Sequence, residues 1–142
     1  MWVGSDRIGL HFLFFSDIRS SNLGQDRTGT ETEYRIAFEL NIGPNEDRIA
    51  LHFNPRFNAK GNINTIVCNS FEAGRWCEEK REKTFPFCQG QEFKIVIKFI
   101  LSEFVVTLPC DSTIHFPNRF GAEKYSVMTF KGDALIRSIE IK

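Results

Sequence analysis

The chain reads as an all-β protein, an antiparallel β-sandwich, on three observations. β-branched and aromatic residues alternate with polar ones in short runs, Gly, Pro, Asn and Asp punctuate those runs, and no helix of any length is evident. Candidate strands fall at 9–15, 35–42, 49–54, 64–69, 76–80, 91–100, 103–108, 113–116, 126–131 and 134–141. No parallel βαβ pattern competes, so so many short strands in one small domain predict two stacked sheets sharing an apolar interior.

The elements follow in order. Leu10-His11-Phe12-Leu13-Phe14-Phe15 supplies an early strand, and 24–33 is the one polar stretch long enough for a flexible loop. In Ile49-Ala50-Leu51-His52-Phe53-Asn54-Pro55-Arg56 the period of two puts Ile49, Leu51 and Phe53 on one face and His52, Asn54 and Arg56 on the other. Phe93, Ile95, Ile97 and Phe99 form an apolar face backed by Lys94 and Lys98. Joined through Ile100-Leu101-Ser102 to the strand of Phe104 and Val106, they read as a meander hairpin. Turns are expected at 43–47, 60–62, 73–74, 109–112 and 131–133, where Gly, Pro, Asn and Asp cluster.

At 142 residues the chain fits one domain, 1–142, able to bury a core without disulfide or metal staples. Lys plus Arg balance Asp plus Glu at 18 each, which removes the basic field a nucleic-acid or anionic-membrane partner would need. Arg75, Lys80, Arg81 and Lys83 are interleaved with Glu72, Glu78, Glu79 and Glu82, the pattern of a salt-bridged surface. No run reaches the roughly 18 apolar residues of a membrane span. Cys68, Cys77, Cys88 and Cys110 would permit two disulfides, but a chain with 15 Phe does not resemble a disulfide-dense scaffold, and free thiols are expected. With no clear signal peptide in 1–15, the reducing cytosol is the expected compartment.

Three polar clusters carry the chemistry: His52-Phe53-Asn54-Pro55-Arg56, Val67-Cys68-Asn69, and Trp76 followed by Glu79 and Arg81. Imidazole, amide, carboxylate and guanidinium are rigid groups with fixed donor and acceptor directions, suited to reading the hydroxyls of a neutral sugar. An indole can cover the C–H patch on one sugar face. Glu79 and Arg81, two apart on a strand, share a face where pairing holds both rotamers before a ligand arrives. His11, His115 and Trp2 belong to no such cluster and read as ordinary surface or core residues. Cys68 should point to the core, opposite Val67 and Asn69.

His-Phe-Asn-Pro-Arg-Phe-Asn at 52–58, Asn-Thr-Ile-Val-Cys-Asn-Ser at 64–70, Trp76-x-x-Glu79-x-Arg81 and Phe-Pro-Asn-Arg at 116–119 closely resemble the galectins, animal lectins that bind β-galactosides. The resemblance runs from about residue 38 to the end; 1–30 match poorly. It implies a jelly-roll sandwich of the galectin and concanavalin-like lectin type, with a galactose groove on its concave sheet and no metal, cofactor or catalysis. It assigns His52, Asn54 and Arg56 to the axial 4-hydroxyl of galactose, and Asn69 and Glu79 to the 6-hydroxyl. Trp76 stacks on the ring, Arg56, Glu79 and Arg81 meet the neighbouring glucose or N-acetylglucosamine, and Val67 lines the groove. The implied partners are galactoside-bearing glycans and glycoproteins, crosslinked by a homodimer, with release from the cytosol independent of a secretory signal.

Three departures stand out. The Pro-Gly-led strand expected before Phe38 is hard to find among 24–27, which bears on dimerisation through terminal strands. Cys77 stands where Gly usually follows the Trp, and Lys60 and Asn62 occupy a loop often holding His and Asp. A galectin-fold module that has lost sugar binding is the alternative reading. A glycosidase needs two carboxyls about 5–10 Å apart, one protonated. Glu79, flanked by Arg56 and Arg81, suits that acid role poorly.

Overall fold

A computed structural model describes residues 3–4, 9–16, 36–88 and 90–141. The elements are β1 (Val3–Gly4), β2 (Gly9–Ser16), β3 (Ile36–Gly43), β4 (Ile49–Ala59), β5 (Asn62–Glu72), β6 (Arg75–Trp76), β7 (Lys80–Glu82), β8 (Glu92–Phe99), β9 (Glu103–Thr107), β10 (Thr113–Pro117), β11 (Lys124–Tyr125), β12 (Val127–Gly132) and β13 (Ala134–Ile141). One sheet runs β10-β9-β8-β2-β13, the other β12-β3-β4-β5-β6 with β7 also on β5, and β1 pairs with β11. Every pairing is antiparallel. The expected sandwich and the β8–β9–β10 meander are both present. No helix of the described residues is long and apolar enough to cross a membrane, which leaves β-barrel spans unaddressed.

The interior follows the period-two pattern. Phe93, Ile95, Ile97 and Phe99 of β8 are buried while Lys94 and Lys98 are exposed. Phe104, Val106, Ile114 and Phe116 extend that face across β9 and β10. The second sheet answers with Phe38, Leu40, Ile42, Leu51, Phe53, Ile66 and Cys68. At one end Phe87, from the segment after β7, meets Phe38 and Phe93 edge-on at 5.8 and 4.9 Å. At the other, buried Tyr125 stacks on Phe104, and its hydroxyl donates to Asn118 Oδ1. Asn118 Nδ2 donates to the carbonyls of Ile100 and Ala122, so the Asn of Phe-Pro-Asn-Arg staples two loops.

Several boundaries differ from the sequence reading, most by a single residue. β4 continues past Pro55 to Ala59, and β5 runs from Asn62 to Glu72. The 76–80 strand is instead two short ones interrupted at 77–79. Gly132 stays in β12 rather than opening a 131–133 turn. The loop expected at 24–33, the search for a strand at 24–27 and Trp2 lie outside the described residues.

Candidate functional site

The candidate face is the outer face of β4 and β5, flanked by 76–81. β4 is buried along nearly its whole length, because Leu51 and Phe53 face the core while His52, Asn54 and Arg56 are covered from the other side. These three polar side chains are only 6, 8 and 6 % exposed. Buried polar groups need partners, and here the partners fix their directions.

Pro55 explains how Asn54 is held. β4 sits between β3 and β5, where proline normally removes a ladder hydrogen bond. Ala37↔Arg56 and Leu40↔Phe53 place Phe38 opposite Pro55, and the pairing lapses there. The carbonyl of Phe38, lacking the N–H a non-proline residue would offer, accepts Asn54 Nδ2 at 2.7 Å. Arg56 Nε donates to Asn54 Oδ1 at 2.8 Å. Asn54 keeps one N–H to spare, and both terminal nitrogens of Arg56 are left for other partners. The Arg56 pKa is lowered by burial, against which the Glu79 charge acts to raise it.

His52 is held from β3. Its Nδ1 lies 2.6 Å from Asn41 Oδ1 and 3.2 Å from Glu39 Oε2. Burial, with the charges of Arg56 and Lys60, pushes its pKa down to about 4, so the ring is neutral near pH 7. The hydrogen bond at Nδ1 is the one to Asn41, and Glu39 stands beside a neutral ring. With Nδ1 as donor, Nε2 carries the lone pair.

Trp76 is 48 % exposed yet held on two sides, 4.6 Å from His52 and 5.0 Å from Phe71 between ring centroids. After it the backbone leaves the strand, and its polar groups are claimed individually. Cys77 N–H donates to the Ser70 carbonyl, and Asn69 Nδ2 donates to the Cys77 carbonyl. Arg119 Nη2 donates to the Glu78 carbonyl at 2.8 Å while Nη1 reaches Ser70 Oγ at 2.8 Å and Asn69 Oδ1 at 3.4 Å. The Arg119 guanidinium also lies over the Phe116 ring. Cys77 is not among the positive-φ residues, so its side chain imposes no strain where glycine was expected.

Glu79 Oε2 accepts from Arg81 Nε at 3.1 Å and Nη2 at 3.0 Å, the expected pair, although Glu79 lies in the 77–79 break and not on a strand shared with Arg81. Arg81 Nη1 donates to Asn62 Oδ1 at 2.8 Å, so Asn62 serves Arg81 rather than Arg56. His52, Arg56, Lys60, Val67, Asn69, Trp76 and Glu79 line one cleft of 140 Å³. Asn54 and Arg81 stand outside that lining, each one hydrogen bond from a lining residue. Among the described residues no cluster of His, Cys, Asp and Glu could hold a metal, and Glu79 is the only carboxylate in the lining. Val67 faces the cleft and Cys68 the core, as the period of two requires.

Sequence reasoning passed over Glu39, Asn41 and Arg119 as participants. Arg119 was visible within Phe-Pro-Asn-Arg, but its reach to Ser70 and Glu78 exists only once the two sheets are stacked. Glu39 and Asn41 lie one strand away from His52, a neighbour relation set by the β3–β4 register.

Residues 27–141 match the family model described as galactoside-binding lectin. A β-galactoside-binding lectin of Electrophorus electricus is 50 % identical over 105 residues, 74 % of this chain and 77 % of that protein. The crystal structure of the galectin-1-L2 of Dario rerio superposes with a TM-score of 0.83 at 43 % identity, covering 99 % of this chain and 94 % of the other. CG-16, a homodimeric agglutinin from chicken liver, superposes with a TM-score of 0.80 at 31 % identity, over 100 % of this chain and 98 % of its own.

Proposed function

The chain belongs to the galectin family of galactoside-binding lectins, and on that premise we propose that it binds β-galactosides such as lactose and N-acetyllactosamine through the β4–β5 cleft. It is a lectin and not an enzyme, acting as a single carbohydrate-recognition domain. The reading is carried by the residual hydrogen-bonding capacity of the buried row. A hydroxyl both donates and accepts, and His52 Nε2 offers a lone pair beside the spare N–H groups of Asn54 and Arg56. An axial 4-hydroxyl can use all three; an equatorial one points elsewhere.

In this reading Trp76 covers the apolar face of the galactose ring, while Asn69 and Glu79 hold its 6-hydroxyl. Arg56, Glu79 and Arg81 meet the next sugar, and Val67 closes the floor. The Glu79–Arg81 and Arg81–Asn62 contacts exist before ligand arrives, which lessens the entropy lost on binding. A shallow cleft and a small neutral ligand keep single-site affinity weak. Crosslinking of glycoproteins then rests on a homodimer, whose two sites can raise avidity by about 10²–10⁴. Residence in the cytosol, with release independent of a signal peptide, completes the proposal.

Calorimetric titration with lactose tests it, with Trp76→Ala alongside. Saturable heat at millimolar lactose, lost in the variant, supports the reading; no heat from correctly folded protein overturns it.

A further inference from the structure

The strand pair that carries Trp76 has little backbone support at its tip. β6 has only two residues, stands last in its sheet, and pairs with β5 through Phe71↔Trp76 and Glu72↔Arg75. The two residues of the turn between them, Ala73 and Gly74, have φ of 54° and 77°, and an alanine in the left-handed region is strained. On the other side of β5 the ladder to β4 shifts register after His52↔Asn69 and ends at Ile49↔Phe71. The next pair along would be Arg48 and Glu72. There a side-chain contact takes over from the backbone, with Arg48 Nη2 donating to Glu72 Oε1 at 2.7 Å. The Arg48 guanidinium also lies over the Phe120 ring, 4.6 Å from its centroid, and Phe120 packs against the core. Phe120 follows Arg119, which holds the Glu78 carbonyl on the other flank of Trp76.

We propose that Arg48 is a positioning residue for Trp76: by bridging Glu72 to the Phe120 ring it ties the β5–β6 hairpin to the 118–121 loop and holds the indole in place against His52. Arg48 does not line the His52–Trp76 cleft, so it acts through the hairpin and not on a ligand. The indole rests between His52 and Phe71. His52 is buried in β4, whereas Phe71 belongs to the hairpin. Without the bridge, Phe71 and Trp76 swing together while His52 stays, and the half-exposed indole loses its fixed plane. An exposed ion pair contributes little to folding, so its effect falls on orientation rather than stability. The consequence for sugar rests on the lectin reading, but the mobility of the indole is a property of the free protein.

A Trp2→Phe background leaves Trp76 as the sole tryptophan, and its fluorescence anisotropy without sugar reads that mobility. Arg48→Met removes the charge while keeping an extended side chain, and Glu72→Ala removes the acceptor while leaving the guanidinium on Phe120. Each should lower the Trp76 anisotropy and weaken lactose binding roughly two- to fivefold by calorimetry, the scale of one exposed ion pair, with the urea midpoint little changed. The double variant should be no worse than either single one. Raising NaCl to about 1 M, where such pairs are screened, should bring the wild type toward Arg48→Met. In a protein that binds lactose, unchanged anisotropy or unchanged affinity in both variants, or strictly additive losses in the double one, overturns the proposal. Should Arg48→Met prove unstable, Glu72→Ala decides alone. Lower anisotropy in the variants of a protein that ignores lactose supports the bridge and overturns the lectin reading instead.

Discussion

The Trp76 indole and the His52 imidazole meet with ring centroids 4.6 Å apart and planes inclined at 51°. The indole and the buried imidazole are therefore one packed unit, with Phe71 closing the far side edge-on. Because half of the indole remains exposed, Trp76→Ala should cost little stability, under about 1 kcal/mol. It removes a ring-sized apolar surface from the site. Burying such a surface against sugar C–H groups is worth about 2 kcal/mol, so lactose affinity should fall roughly thirtyfold. Calorimetry beside urea denaturation separates the two effects.

His52 makes stability depend on pH in a defined window. Its pKa is about 4 in the folded protein against 6.5 ordinarily, first because of burial and then because of Arg56 and Lys60. Between those values the unfolded chain binds more protons than the folded one, so stability is full above pH 6.5 and declines as pH falls toward 4. The ceiling on this loss is about 3 kcal/mol. Urea midpoints measured from pH 7.5 to 4.5 should fall, and His52→Gln should flatten the slope. Lactose affinity should stay nearly constant from pH 8 to about 5.5 and weaken below that, as protonation of Nε2 removes the acceptor.

Arg119 lies outside the cleft lining, yet it ties the 77–79 segment to the end of β5 through Glu78 O and Ser70 Oγ. Arg119→Ala should lower lactose affinity roughly tenfold, because Asn69 and Glu79 lose a common anchor. Arg119→Lys should not restore it. An ammonium cannot reach both acceptors while stacking on Phe116, whereas the planar fork does all three. A lysine variant with wild-type affinity would refute the anchoring role.

Thiol reactivity should divide the four cysteines. Cys68 is buried and its pKa is pushed up to about 12 by burial, while Cys77, Cys88 and Cys110 are exposed. A hydrogen bond with Ser112 lowers the Cys110 pKa. Maleimide at neutral pH should therefore label three thiols in native protein, Cys110 early among them, and Cys68 only after denaturation. Peptide mapping by mass spectrometry checks the order.

The alternation in 49–56 and 92–106 made both the apolar interior and the His52-Asn54-Arg56 row legible, because strand periodicity alone divides those side chains between faces. The Glu79–Arg81 pair was also expected, but from a shared strand that the 77–79 break removes. What stayed hidden depends on register and sheet stacking. Glu39 is thirteen positions from His52 in the chain and 3.2 Å away in space. The 77–79 break was hidden because its partners, Asn69 and Arg119, come from other elements. Pro55 misled in the opposite direction, as a strand-ending signal inside a central strand.

That proline yields the last prediction. Pro55 leaves the Phe38 carbonyl without a ladder partner, and Asn54 Nδ2 takes its place. Pro55→Ala restores a backbone N–H opposite that carbonyl. The new ladder bond contributes about 1 kcal/mol, while loss of the ring's restriction of the unfolded chain costs a similar amount, so stability should change little. Asn54, however, would face competition for its anchor and sample other rotamers. Its bond to Arg56 Nε would weaken with it. The expected outcome is an unchanged urea midpoint with lactose affinity reduced roughly fivefold, the signature of lost preorganisation rather than lost folding. Asn54→Ala in the Pro55→Ala background should then cost less than in the wild type, because part of what Asn54 supplies has already gone. Strict additivity in that double-mutant cycle would show that proline and amide act independently.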